Sequence, residues 1–382
     1  MNKLLNENWL DSLPNNVTEH FESLNQKVVT VICQRIKEIG EMSATDVHRL
    51  TSSIEFLGAD FDKIEKIIAE ETGKSRKEIH QMFVDLVAEN DNWARVFYEA
   101  QGIQPIDITT SLDLQLMTSI IEQQTFNAFV NLSNTTANFL LVGKTPMLFR
   151  DAYVNVIDRA IFAAQSGVMS YQQAIRPLVK QFGKGQVVYE SGYRRRSDSV
   201  FRQIVLDGVR ELNQQVMNYH GAQYGADGVE ISAHAISAPD HVFVQGHQFS
   251  NANYEIIQSG IEGQIVSDVD GKLYKTFRRN IGEWNCRHFA IPIVIGISGR
   301  AYTDEELRDY RFNSKEKYEK TQKMRRMESY IRTLKQERDV YKECGFMDEY
   351  RAKRTAITDM TKKYKKYAYE NGLEIKPFNL LG

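Results

Sequence analysis

The sequence predicts a mainly α-helical protein with a small α+β core. The expected parts are a helical N-terminal domain, a central domain with short strands and a C-terminal helical hairpin. Three observations carry this expectation. The chain has only seven prolines in 382 residues. Apolar residues recur at three- and four-residue spacing through most of it, the period of a helix with one buried face. One stretch, about 221–300, breaks that pattern with frequent glycines and short β-prone runs.

The elements follow in order. Phe21, Leu24, Val28, Val31 and Ile32 share a helical face. Ser43 with Asp46 predicts a helix start, because an acid in the first turn complements the helix dipole. Ile64, Ile67 and Ile68, then Ile79, Phe83 and Leu86, predict two helices with Gly73 between them. Pro105 and the polar residues after it close a domain of residues 1–110. From Leu112 to Phe182 the helical period returns, with Ile120, Thr125, Phe129 and Leu132 on one face and Val154, Ile157, Ile161 and Ala164 on another. A long helix is expected from about Ser197 to Tyr219, with Val200, Ile204, Val205, Val209 and Leu212 inward. Strands are expected at Val229–Ala233, Ile265–Val269, Leu273–Phe277 and Ile291–Ile295, with Asp270-Gly271 as a tight hairpin turn. These residues make a central domain of 111–302. Thr303 with Glu305 and Glu306 starts the last part, 303–382. There Met324, Met327, Ile331, Leu334 and Tyr341 form one stripe. Tyr350, Ile357, Met360, Tyr364 and Tyr367 form a second, beyond Gly345.

Composition narrows the class. Hydrophobic residues at 42% and charged residues at 26% fit a chain that buries a core. No apolar run reaches the roughly 18 residues of a membrane span, and Met1–Leu10 lacks the features of a secretory signal. Three scattered cysteines, Cys33, Cys286 and Cys344, argue against a disulfide framework and for synthesis in a reducing cytoplasm. The net charge of −2 hides an asymmetry: residues 1–100 are acidic, whereas 311–370 carry 18 Lys and Arg against 10 Asp and Glu. Two such ends can meet different partners.

The densest chemical constellation is His234, Asp240, His241 and His247, followed by Cys286-Arg287-His288. Imidazole and thiolate are ligands that zinc favours, so His234, His241, Cys286 and His288 are the candidate set for a structural zinc. The plainer alternative is a polar core whose side chains satisfy buried loop backbone. A Cys286 nucleophile with a histidine base is the catalytic reading, and no catalytic residue is assigned on it. Leu141-Val142-Gly143-Lys144-Thr145 resembles the end of a phosphate loop, but Asn138 stands where that loop needs glycine. Two basic runs are candidate contacts for nucleic acid or a partner protein. They are Arg194, Arg195 and Arg196, and Lys362, Lys363, Lys365 and Lys366 interleaved with Tyr364 and Tyr367. For the second run, a packed amphipathic helix with solvated lysines is the favoured alternative.

An ordered series of short motifs resembles the phage minor capsid protein 2 family. It comprises Gly228-Val229-Glu230-Ile231-Ser232-Ala233-His234, Ala238-Pro239-Asp240-His241, Gln245-Gly246, and Trp284-Asn285-Cys286-Arg287-His288 followed by Pro292 and Gly296. Arg196-Ser197-Asp198-Ser199-Val200, Gly208, Ala301-Tyr302-Thr303 and the stretch Ile36–Leu50 agree with it. The resemblance covers most of 30–310 and leaves the C-terminal hairpin out. It implies a virion protein of a tailed phage, related to Mu-type head morphogenesis proteins and associated with the portal. The implied partners are the portal protein, the major capsid or scaffold protein, and packaged double-stranded DNA. The resemblance also implies no enzymatic role and a metal or polar staple at His241, Cys286 and His288. Two rival readings remain: an enzyme, either a metal-dependent hydrolase or an ADP-ribosyltransferase, and a nucleic-acid binding module. A catalytic pocket at the motif loops would favour the first; steeply salt-dependent DNA binding would favour the second.

Overall fold

A computed structural model describes residues 7–41, 54–104, 111–142, 145–148, 186–188, 193–283, 286–312, 314–376 and 380. The fold is mainly helical with a few short antiparallel strands. The helices are α1 (Glu7–Ser12), α2 (Asn15–Glu41), α3 (Ile54–Glu99), α4 (Leu112–Asn138), α5 (Ser197–Gln223), α6 (Asn251–Ile257), α7 (Asp304–Arg311), α8 (Ser314–Glu343) and α9 (Met347–Glu370). The strands are β1 (Phe139–Val142), β2 (Thr145–Leu148), β3 (Gln186–Val188), β4 (Arg194–Arg196), β5 (Gly228–Ile231), β6 (Gln248–Ser250), β7 (Gly263–Val266), β8 (Leu273–Thr276) and β9 (Ala290–Ile293). No described helix is long and apolar enough to cross a membrane.

The chain forms two compact units, each drawn from three stretches. The first comprises Met1–Pro14, Ile79–Thr125 and Val205–Lys323; the second comprises Asn15–Glu78, Phe126–Ile204 and Met324–Gly382. This grouping differs from a linear division at 110 and 302, because side chains far apart in sequence share a core.

In the first unit β5 is the centre of an antiparallel sheet of order β6-β5-β9, with Val229 opposite both Phe249 and Pro292. Every residue of β5 and β9 is buried, Glu230 of β5 included, so neither shows the alternation of a half-buried strand. The adjoining hairpin β7–β8 pairs Val266 with Leu273, and Gly271 takes the positive φ of +69° that the Asp270-Gly271 turn requires. Val229, Ile231, Val244, Phe249, Ile257, Ile265 and Tyr274 are packed into one cluster. The Thr303 start is a full capping box: its hydroxyl accepts from the Glu306 amide, and the Glu306 carboxylate accepts from the Thr303 amide. Strand β6 and helix α6 carry no usable signal in sequence, since three and seven residues are too few to display a period.

In the second unit Val17, Phe21, Leu24, Val28 and Val31 bury one face of α2. Phe21 stacks on Phe201 at 4.9 Å, and Phe129 meets the Phe201 ring edge-on at 4.7 Å. Helices α8, from Met324 onward, and α9 form the expected hairpin. They turn at Gly345 (φ +80°) and close over Met324, Ile331, Tyr364 and Ala368. Buried Tyr364 donates its hydroxyl proton to Glu328 at 2.8 Å.

Several expectations need correction. Gly73 does not separate two helices: α3 runs unbroken through it. Its missing side chain would project into open space, and a single exposed glycine costs a helix only about 1 kcal/mol. Ile120 is 49% exposed, and the buried face of α4 is carried by Leu114, Ile121, Thr125 and Phe129. The helical run expected after Leu112 gives way at Phe139 to the β1–β2 hairpin, where four residues of each strand pair. Leu141 and Val142 lie in that hairpin, a context unlike a phosphate loop. Cys33 and Cys344 form a disulfide despite their separation of 311 residues, so an odd, scattered cysteine count did not exclude a bridge. The Ser43–Asp46 start, Pro105, the Val154–Ala164 face and the Trp284-Asn285 pair lie outside the described residues.

Candidate metal centre and motif core

The loop after β5 and the segment before β9 bring together three of the four predicted ligands. The ligand atoms of His241, Cys286 and His288 lie within 4.8 Å of one another, and all three residues are buried. Nδ1 of His241 is 3.3 Å from the Cys286 sulfur, and Nδ1 of His288 is 3.4 Å from the same atom. The segment 286–289 is not itself a strand, yet its extension of the β5–β9 ladder fixes it. The Phe289 carbonyl accepts from the Ser232 amide at 3.0 Å, and the Phe289 amide donates to the Ser232 hydroxyl at 3.1 Å. His234 is the exception. Its ring stacks on His288 at 4.4 Å between centroids, but its ligand atoms are outside the cluster.

The far side of each imidazole is anchored. Nε2 of His241 donates to the Arg279 carbonyl oxygen at 2.7 Å. Arg279 in turn clasps Asp240 with two guanidinium hydrogen bonds of 3.1 and 2.7 Å. Nε2 of His288 donates to Oε1 of Gln245 at 3.0 Å, and that same oxygen accepts the His234 amide at 3.1 Å. Gln245 is quoted in the family motif, whereas Arg279 was missed by sequence reading. It acts through a backbone carbonyl, for which a sequence carries no marker.

Electrostatics keep these groups uncharged. Burial lowers the pKa of His234 to about 3 and pushes that of His288 well below the usual imidazole range; burial also lowers His241. Burial raises the Cys286 thiol above its ordinary value. A protonated thiol beside neutral imidazoles is the reverse of an activated thiolate–imidazolium pair. His288 also lines a cleft of about 400 Å³ with Arg210, Gln214, Tyr254, Gln258 and Arg287.

His247 sits apart from the cluster in its own relay. Arg311 donates to its Nε2 at 2.9 Å, so its Nδ1 carries the proton and donates to the Tyr274 hydroxyl at 2.9 Å. Tyr274 then donates to Asp270 at 2.6 Å. Buried Glu230, in β5, accepts from the Gln248 side chain and the Ala301 amide, both at 2.9 Å, tying β6 and the approach to α7 to the central strand.

The basic runs have different fates. Arg196 is 8% exposed and bidentate to Asp198 at 2.9 and 3.0 Å, with a further bond of 2.7 Å to Thr333. Arg195 is half-buried, and only the backbone of Arg194, in β4, is described. Lys362, Lys363, Lys365 and Lys366 are all exposed on α9, while Tyr364 is buried and Tyr367 half-buried in the hairpin core. The tyrosines therefore pack and the lysines are solvated.

Residues 5–368 match the family described as phage minor capsid protein 2. The match extends through α9, beyond the 30–310 span in which motifs are recognisable by eye. No curated relative and no solved structure matches the chain. With nearly its whole length covered, the chain belongs to the phage minor capsid protein 2 family and is a structural protein of a phage capsid.

Proposed function

We propose that this protein is a low-copy component of a tailed-phage head that assembles with the portal and with the major capsid or scaffold protein. The observation that carries the reading is the family match along residues 5–368. The motif core agrees with it. Asp240, His241, Gln245, Arg279 and His288 are all committed to partners within their own unit. Such a core holds loops in shape and leaves docking to the surfaces they display. Coexpression with the portal protein of the same phage tests the proposal. The two should copurify as a complex at physiological salt, and a chain that elutes alone at every ratio tried contradicts it.

A second contact, with packaged double-stranded DNA, is favoured by the exposed lysines of α9. Four ammonium groups on one helix neutralise phosphates without reading sequence, so binding should weaken steeply with salt. Replacing Lys362, Lys363, Lys365 and Lys366 with glutamine should reduce the slope of log affinity against log salt by up to about 4 while leaving the fold intact. An unchanged slope removes α9 as the contact.

A further inference from the structure

We propose that His241, Cys286 and His288 bind one zinc(II) ion, with His234 as the fourth donor, and that the ion locks the loop after β5 to the segment before β9.

The hydrogen-bond partners on the outer side of the rings fix both tautomers. The Arg279 carbonyl can only accept, so Nε2 of His241 carries the proton and Nδ1 presents a lone pair. Oε1 of Gln245 is identified as oxygen by the His234 amide that donates to it. Nε2 of His288 must therefore also be a donor, and its Nδ1 presents a second lone pair. Both lone pairs converge on one sulfur, at 3.3 and 3.4 Å. A thiol has a single proton and satisfies one of them. The other buried acceptor faces sulfur lone pairs, at a cost a native core rarely leaves uncompensated.

A divalent cation removes the conflict. Zinc forms one bond to sulfur and one to each Nδ1, and the thiol proton leaves to solvent. With Zn–S of about 2.3 Å and Zn–N of about 2.0–2.1 Å, tetrahedral ligands stand roughly 3.5 Å apart. The two sulfur–nitrogen separations are already close to that, and the whole set lies within 4.8 Å. The ring anchors are of the kind that orient metal-bound imidazoles: a backbone carbonyl for one and an amide oxygen for the other. His234 reaches the ion only by turning its ring out of the stack on His288, and its buried Nε2, which has no hydrogen-bond partner, is the group that such a turn would satisfy.

The test uses the full chain without an affinity tag. Elemental analysis after expression with zinc should find about one equivalent per chain. Replacement by cobalt(II) should give the thiolate-to-cobalt charge-transfer band and the intense visible absorption of a four-coordinate site. Cys286→Ser should abolish the charge-transfer band, and Gln245→Ala should weaken affinity roughly 10–100-fold. His234→Ala should leave the charge-transfer band while weakening binding; unchanged affinity there overturns the fourth-donor assignment. Wild-type protein that holds no zinc and shows no cobalt charge transfer overturns the proposal outright, and that measurement does not depend on any variant folding. A control variant, His247→Gln, should bind as wild type does.

Discussion

His241 turns Nδ1 toward the Cys286 sulfur at 3.3 Å while Arg279 holds its Nε2 through a carbonyl oxygen at 2.7 Å. One ring thus joins the loop after β5, the segment after β8 and the segment before β9. His241→Ala removes the hydrogen bond to the Arg279 carbonyl and one of the two imidazoles against the Cys286 sulfur, and opens a cavity beside Phe277, whose ring lies 4.4 Å away. Stability of the first unit should fall by about 3 kcal/mol in urea titration. A loss below about 0.5 kcal/mol would show that the ring is dispensable to the core.

The pH response should follow His220 and His247, each lowered by burial to about 4. Their folded pKa values lie below the unfolded value near 6.5, so the unfolded chain binds more protons between pH 6.5 and 4. Stability is lost as pH falls through that window, by about 1–2 kcal/mol for each histidine by pH 5. Glu22 works in the opposite direction. Burial raises it from 4.5 to about 7, so lowering the pH from 7 to 4.5 favours the folded state. Two histidines outweigh one carboxyl, and Tm should drop between pH 7 and 5. His247→Gln should flatten part of that drop; a profile identical to wild type would contradict the relay through Arg311 and Tyr274.

Gly246 and Gly208 are among the glycines placed where a methyl group has no room. Gly246 has φ +70°, and an added Cβ would stand 2.4 Å from Leu307 of α7. Gly208 faces Thr125, whose hydroxyl would lie 2.1 Å from a new Cβ. Gly246→Ala combines backbone strain with overpacking and should cost about 2–4 kcal/mol, whereas Gly208→Ala needs only overpacking relief and should cost about 1–3 kcal/mol. Chemical denaturation of both variants checks the order, and equal or negligible losses would contradict the close packing at these sites.

The Cys33–Cys344 bridge should be detectable as a cross-linked peptide in an unreduced digest of purified protein. Loop-closure entropy over 311 residues puts its stabilisation at roughly 6 kcal/mol. Cys344→Ser should accordingly lower Tm under non-reducing conditions and match wild type under reducing ones. A variant indistinguishable from wild type in both conditions would mean the bridge adds nothing.

Legibility in the sequence followed length and locality. The long helices, the Thr303 capping box and the Asp270-Gly271 turn each rest on a period or a local bond, and each is in the structure. Gly73 misled because one exposed glycine is too small a penalty to end a helix. Among the site residues, His241, Cys286 and His288 were visible as donor types in the motif loops. Arg279 was not, because its contribution is main-chain, and nothing in the sequence marks the stacking of His234 on His288. Arg196 looked like a surface cation, but its charge is neutralised by Asp198 two residues away, a pairing that depends on the turn from β4 into α5.

The central claim is that this chain is built into a phage head. Quantitative mass spectrometry of purified particles, with heads separated from tails, tests it most directly. The protein should be found in the head fraction at low copy relative to the major capsid protein and in step with the portal. Its absence from mature and precursor heads alike would contradict the account.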